Sequence, residues 1–196
     1  MGLETSKEYY ESFVWQNTTW QGRTVLKPPT DLWRLQELIV KRKPDYIVET
    51  GTHSGGSALF YSDLCELLGN GQVVTIDIEE CESLHPRMTC ITGDCLEVVD
   101  EVRSRITKSD HVMVILDSDH RPEHVRKEIA LYAPLVTKRE FLVVEDTIPF
   151  EWKDEGWIND LGPVVDEFLE SHANFKRIPD KYGILTFSPG GWLERI

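Results

Sequence analysis

Acidic residues recur in this chain where apolar runs end. Glu49, Asp77, Asp94, Asp117 and the pair Glu145-Asp146 each follow a short apolar stretch or close a turn after one. A single acid in such a place is usually a helix cap or a solvated turn residue. Acids at nearly every successive strand end point instead to a common ligand. Asp117 lies in Leu116-Asp117-Ser118-Asp119-His120, and Glu145-Asp146 in Val144-Glu145-Asp146-Thr147, one βα unit later. If the two strands are neighbours, about 4.8 Å apart, the three carboxylates converge. Unpaired, they would repel one another. A hard divalent cation relieves that, and all-oxygen ligation suits Mg²⁺. The competing explanation pairs them with Arg or Lys, Arg121 being nearest in sequence. His120 stands just past the cluster, as a general base or as a structural histidine. The other histidines are expected to be structural or solvated, although His53 could touch a ligand because of its loop.

The second chemistry-bearing stretch is Glu49-Thr50-Gly51-Thr52-His53-Ser54-Gly55-Gly56-Ser57. Glycines directly after a strand let the backbone turn tightly and approach a ligand. The dinucleotide fingerprint GxGxxG needs a second glycine where this chain has His53. The loop, with Gly51, Thr52, Gly55 and Ser57, therefore suits an adenosine ligand without pyrophosphate better than NAD. Asp77 is placed to accept from both ribose hydroxyls and Asp94 from the adenine amino group. Glu49 adds negative charge beside a cationic sulfonium.

Alternating elements must hold these residues. A helix is predicted over Asp31–Val40, capped by Thr30 or Asp31, with Lys41, Arg42 and Lys43 at its negative end and Pro44 as stop. Strands are predicted at Tyr46–Glu49, Val73–Asp77, Met88–Ile91, Val112–Leu116 and Phe141–Val144. Helices are predicted at Ser57–Leu68, around Leu96–Ile106, from Pro122, and at Val164–Leu169. Lys176–Ile178 and Ile184–Phe187 read as a closing hairpin. Continuous apolar strands alternating with helices imply an α/β fold: a mostly parallel sheet, helices on both faces, and an antiparallel C-terminal strand. Ligands of such sheets bind beyond the carboxyl ends of the strands. Residues 31–196 are read as this domain. Residues 1–30, with Trp15, Trp20 and Tyr9-Tyr10, are read as a lid or an oligomerisation segment, although the aromatics also fit a core.

Composition sets limits. The 196 residues carry 21 basic and 34 acidic side chains, a net charge of −13. That repels a phosphate backbone, so nucleic acid is not expected as a partner. No apolar run approaches the roughly 20 residues of a membrane span, and Met1–Tyr10 is too polar for a secretory signal. Cys65, Cys81, Cys90 and Cys95 show no metal or disulfide spacing and are expected as reduced thiols in the cytoplasm.

On these motifs the chain resembles the cephalosporin hydroxylase family, which includes rhamnosyl O-methyltransferases. The matching residues are Trp20 and Gly22, Lys27-Pro28, Asp31-Leu32-Trp33, Gln36-Glu37, Lys43-Pro44-Asp45, Glu49–Thr52, Gly55–Ser57, Asp77, Gly93-Asp94, Leu116–His120 and Val144–Thr147. The resemblance implies a Rossmann-like class I methyltransferase fold with a seven-stranded sheet. It also implies S-adenosylmethionine as methyl donor and Mg²⁺ on Asp117, Glu145 and Asp146. Hydroxyls of small natural products or sugars would be the acceptors, and a homo-oligomer the assembly. The expected activity is Mg²⁺-dependent O-methyl transfer, with Asp117 and His120 at the reacting centre. An iron-dependent hydroxylase would need two histidines and a carboxylate, for which His120, His124 and Asp117 are the nearby set. A NAD-dependent oxidoreductase is disfavoured by His53. A non-catalytic S-adenosylmethionine-binding module would leave the acid set without a purpose.

Overall fold

A computed structural model describes residues 2–148, 150–152, 157–181 and 185–196. The chain opens with α1 (Gly2–Glu11), a 3₁₀ turn at Val14–Asn17, and a small hairpin of β1 (Thr19–Trp20) and β2 (Arg23–Thr24). The alternating body follows: α2 (Pro29–Arg42), β3 (Tyr46–Thr50), α3 (Gly56–Leu68), β4 (Gln72–Asp77), β5 (Met88–Thr92), α4 (Val99–Arg105), β6 (Val112–Leu116), α5 (Pro122–Tyr132) and β7 (Phe141–Val144). After it come a short hairpin of β8 (Phe150–Trp152) and β9 (Trp157–Asn159), then α6 (Gly162–Ser171), β10 (Phe175–Arg177) and β11 (Trp192–Arg195).

Seven strands form the main sheet in the order β10-β11-β7-β6-β3-β4-β5. β5, β4, β3, β6 and β7 run parallel, and β11 is antiparallel to both β7 and β10. The expected mostly parallel seven-stranded sheet is borne out. Its central strands read as continuous apolar runs because both faces are covered. Period-2 alternation sends Val48, Val114, Leu116 and Val144 to the face closed by α4, α5 and α6, whereas Ile47, Met113, Ile115 and Val143 meet α2 and α3. A third small core joins Tyr10 and Trp15 to Ile148 and Phe187, with ring centroids 5.5 Å (Tyr10) and 5.6 Å (Trp15) from Phe187. Those two N-terminal aromatics are thus core, and their segment lies along the carboxyl edge of the sheet. Among the described residues no helix is long and apolar enough to cross a membrane.

Two local expectations are corrected. The second strand of the closing hairpin is Trp192–Arg195, not Ile184–Phe187. Phe187 is consumed by the aromatic core and Ile184 lies outside the described residues, while Trp192 and Leu193 are fully buried between β7 and β10. Helix α2 begins at Pro29 behind Pro28, which presets the backbone, so neither Thr30 nor Asp31 caps it. The buried Asp31 carboxylate instead accepts the Phe187 N–H at 2.8 Å.

Candidate active site

The sheet register explains how distant acids meet. Leu116 of β6 is paired with Val144 of β7, so the next residues, Asp117 and Glu145, leave the sheet side by side. Their backbone amides extend the ladder, Asp117 N–H donating to the Thr50 carbonyl (3.1 Å) and Glu145 N–H to that of Leu116 (3.0 Å). Asp146 then adopts a left-handed conformation, φ 52°, which Asp tolerates better than most residues. His120 Nε2 lies between the flanking acids, 3.2 Å from Asp146 and 3.9 Å from Asp117. One ligand atom each of Asp117, His120 and Asp146 falls within 4.8 Å of the others.

Glu145 is tied in by a residue from far upstream. The buried Lys27 ammonium donates to Glu145 Oε2 at 2.7 Å and to Asp117 Oδ2. The competing pairing is therefore partly realised, by Lys27 rather than Arg121, whose guanidinium is held on Asp119. In the sequence Lys27-Pro28 stands only as part of the family motif, with no role for the lysine. The signal was available: a lone lysine after Val25-Leu26, in a chain whose clustered acids needed a cation.

A single ammonium does not neutralise this site. Burial alone would lower the Lys27 pKa, but Asp117 and Glu145 hold it well above its ordinary value, so it stays charged. Burial and the neighbouring Asp117 raise Glu145 well above the carboxylate range, and Lys27 only partly offsets them. Asp146 is pushed up to about 6, by burial and Asp117 against the favourable His120. The other Glu145 oxygen, Oε1, is buried without a hydrogen-bond partner. Excess carboxylate, raised proton affinity and an orphaned acceptor are features that a bound cation would relieve. The ligand atoms that come together are those of Asp117, Asp146 and His120, two carboxylates and an imidazole that suit a divalent ion, whereas Glu145, expected as a third ligand, is turned onto Lys27.

The glycine loop abuts this cluster. Gly51 has φ +84°, and a Cβ there would overlap the Asp117 carbonyl oxygen. Only glycine lets β3 turn against the end of β6. Asp77 shapes the same loop: its Oδ2 accepts the backbone N–H of Thr52 (2.9 Å) and of His53 (2.7 Å). Two cavities meet over Gly51, Asp77 and Ser118. One, of about 320 Å³, extends past Gly93, Asp94 and Cys95; the other, of about 620 Å³, runs past Thr52, Ser57, Lys27, His120 and Asp146 toward Trp15. Gly51, Thr52, Ser57, Asp77, Asp94, Asp117, His120 and Asp146 thus line the cavities. Gly55, with φ 77°, opens α3 beneath the loop. Glu49 is fully buried below the floor, accepts from the Thr75 hydroxyl at 2.8 Å, and is pushed up to about 7 by burial despite Lys27. It acts through the cavity floor rather than on its wall.

Residues 12–196 match the family described as Rhamnosyl O-methyltransferase/CmcI. The chain belongs to this family. The rhamnosyl O-methyltransferase of Mycobacterium leprae (strain TN) is 34% identical over 152 residues, covering 74% of this chain and 66% of that protein. Its namesake in Mycobacterium tuberculosis (strain ATCC 25618 / H37Rv) is 30% identical over 210 residues, covering 98% of this chain and 84% of that protein. The fold is that of CmcI: an apo structure superposes with a TM-score of 0.69 at 21% identity, over 92% of this chain and 77% of that one. A CmcI structure with Mg and SAM gives 0.67 at 19% identity, over 92% and 77% of the two chains. Membership bears out the expected enzyme class, an O-methyltransferase on a class I methyltransferase fold.

Proposed function

We propose that the chain transfers the methyl group of S-adenosylmethionine to a hydroxyl of a small acceptor, a sugar or a natural product, with the help of Mg²⁺. The observation that carries this is the carboxylate cluster with its orphaned Glu145 oxygen, set where two cavities meet over Gly51. Rhamnosyl acceptors belong to the names of the relatives, and Mg with SAM to a CmcI structure. Both agree with this chemistry.

In this reading the smaller cavity takes the adenosine. Asp77 accepts from the ribose hydroxyls and Asp94 from the adenine amino group. Gly51, Thr52, Gly55 and Ser57 bring the backbone close to the methionine part, with Glu49 supplying negative charge below. Asp117, Glu145 and Asp146 hold the Mg²⁺, which when bound lowers the pKa of the acceptor hydroxyl. His120 takes the hydroxyl proton, and Asp146 and Asp117 stabilise the imidazolium so formed. The larger cavity, closed by residues 1–30 as a lid, positions the acceptor in line with the methyl group. The exposed Phe13, Val14 and Trp33 on and beside that segment suit self-association. Four unjoined cysteines suit a reducing cytoplasm.

Calorimetry with S-adenosylhomocysteine tests the donor site. Micromolar binding is expected, on the order of −8 kcal/mol. Asp77→Ala should weaken it by about 1.5–3 kcal/mol. Binding of NAD in place of S-adenosylhomocysteine would sink the proposal.

A further inference from the structure

The adenosine-side cavity has a second titratable cluster in its wall, which the methyl transfer does not use. Cys95 Sγ lies 3.4 Å from His124 Nε2 and 3.5 Å from Glu128 Oε1. The Ser118 hydroxyl donates to Glu128 at 2.7 Å and is 3.3 Å from His124 Nε2. Glu128 is 1% exposed and Cys95 5%. We propose that Cys95, His124 and Glu128 form a binding site for a thiophilic divalent cation, with Zn²⁺ the best match, separate from the carboxylate site.

Ligand chemistry and spacing carry the proposal. A tetrahedral Zn²⁺ with bonds of about 2.3 Å to sulfur and about 2.0–2.1 Å to nitrogen or oxygen separates its ligand atoms by about 3.5 Å. The two sulfur distances match that without rearrangement. Thiolate, imidazole and one carboxylate are a set that selects Zn²⁺ over Mg²⁺. A thiolate and a carboxylate also neutralise the dication, so the buried complex carries no net charge. The scaffold is rigid. His124 and Glu128 are four residues apart on α5 and so share one face. Tyr132, on the same helix, donates its hydroxyl to the Cys95 carbonyl at 2.7 Å. Asp119, held by Arg121, lies 3.8 Å from the other ring nitrogen of His124, beyond a direct hydrogen bond. Cys95, Ser118 and His124 border the cavity, which gives the ion its way in and leaves the fourth position to water or to Ser118. Burial and Glu128 push the Cys95 thiol up to about 12, which keeps it protonated within the hydrogen-bonded network.

Cobalt reports this site directly. Metal-free protein is titrated with Co²⁺ while excess Mg²⁺ fills the carboxylate site. The expected result is one equivalent bound, with a thiolate-to-cobalt charge-transfer band and the intense visible bands of tetrahedral Co²⁺, all displaced by Zn²⁺. Cys95→Ser should abolish the charge-transfer band, with the fold checked by circular dichroism. His124→Gln, at a less buried position, should weaken binding by at least about 100-fold, beyond the usual loss for an outer-shell partner. A double Cys81→Ser/Cys90→Ser variant and Asp117→Asn should both keep the band. Absence of the band, or a band that follows Cys81 and Cys90, overturns the proposal and leaves a hydrogen-bond network only.

Discussion

Asp117 and Ser118 are chain neighbours, yet they serve two differently built clusters. Asp117 joins Glu145, Asp146, His120 and the ammonium of Lys27, a set with more negative than positive charge and one buried oxygen unpartnered. Ser118 joins Glu128, Cys95 and His124, where each polar group has a neighbour within hydrogen-bonding reach. The first cluster keeps an excess of carboxylate and an orphaned oxygen, whereas the second is closed by its own hydrogen bonds. Burial alone therefore does not tell the two clusters apart; uncompensated charge does.

The sharpest way to break this contrast is to remove charge from the first cluster. Chelation, or Asp117→Asn, should abolish transfer to a confirmed acceptor while S-adenosylhomocysteine binding persists, and Mg²⁺ should restore the chelated enzyme. Chelator-resistant turnover would return the carboxylates to a structural role. His120→Ala comes next, with turnover slowed by roughly 10²–10⁴-fold if the imidazole is the base. A smaller loss without change in the pH profile would reduce it to an orienting residue. Lys27→Met should then destabilise the metal-free protein by about 3–5 kcal/mol, since it strands buried carboxylates. Added Mg²⁺ should recover part of that in denaturant melts, and an unchanged midpoint would show that Lys27 is not the resident counter-charge.

A last test concerns pH. Asp31 and Glu49 are both held at about 7 in the folded chain, chiefly by burial, against ordinary values of 3.8 and 4.5. Between those limits the folded state keeps protons that the unfolded chain releases. These groups therefore favour folding below about pH 4 and lose that contribution as pH rises toward about 7. Glu49→Gln should flatten this decline in urea midpoints measured across the window.

The legible parts of the molecule share a cause. Asp117 and Glu145 could be placed together because parallel strands of one βα unit end at the same level, which a periodic apolar pattern reveals. The glycine loop was legible because His53 interrupts a known spacing. Lys27 was not, since its position depends on how a non-periodic segment crosses the sheet, 90 residues away from Asp117. The last strand was misplaced for a related reason. Ile184–Phe187 has the composition of a strand, but burial of Phe187 against Tyr10 and Trp15 outweighs local propensity and leaves pairing to Trp192–Arg195. His124 was expected to be structural or solvated, and only the three-dimensional placement of Cys95 and Glu128 gives it partners.

The contact at Gly51 has a mechanical meaning. With no room for even a methyl group between this residue and the Asp117 carbonyl, the glycine loop and the root of the carboxylate cluster are in direct backbone contact. A molecule that presses on the loop presses on Asp117 too. On the proposed function, a ligand seated against the loop should therefore damp motion at Asp117 directly, with no relay of intervening residues.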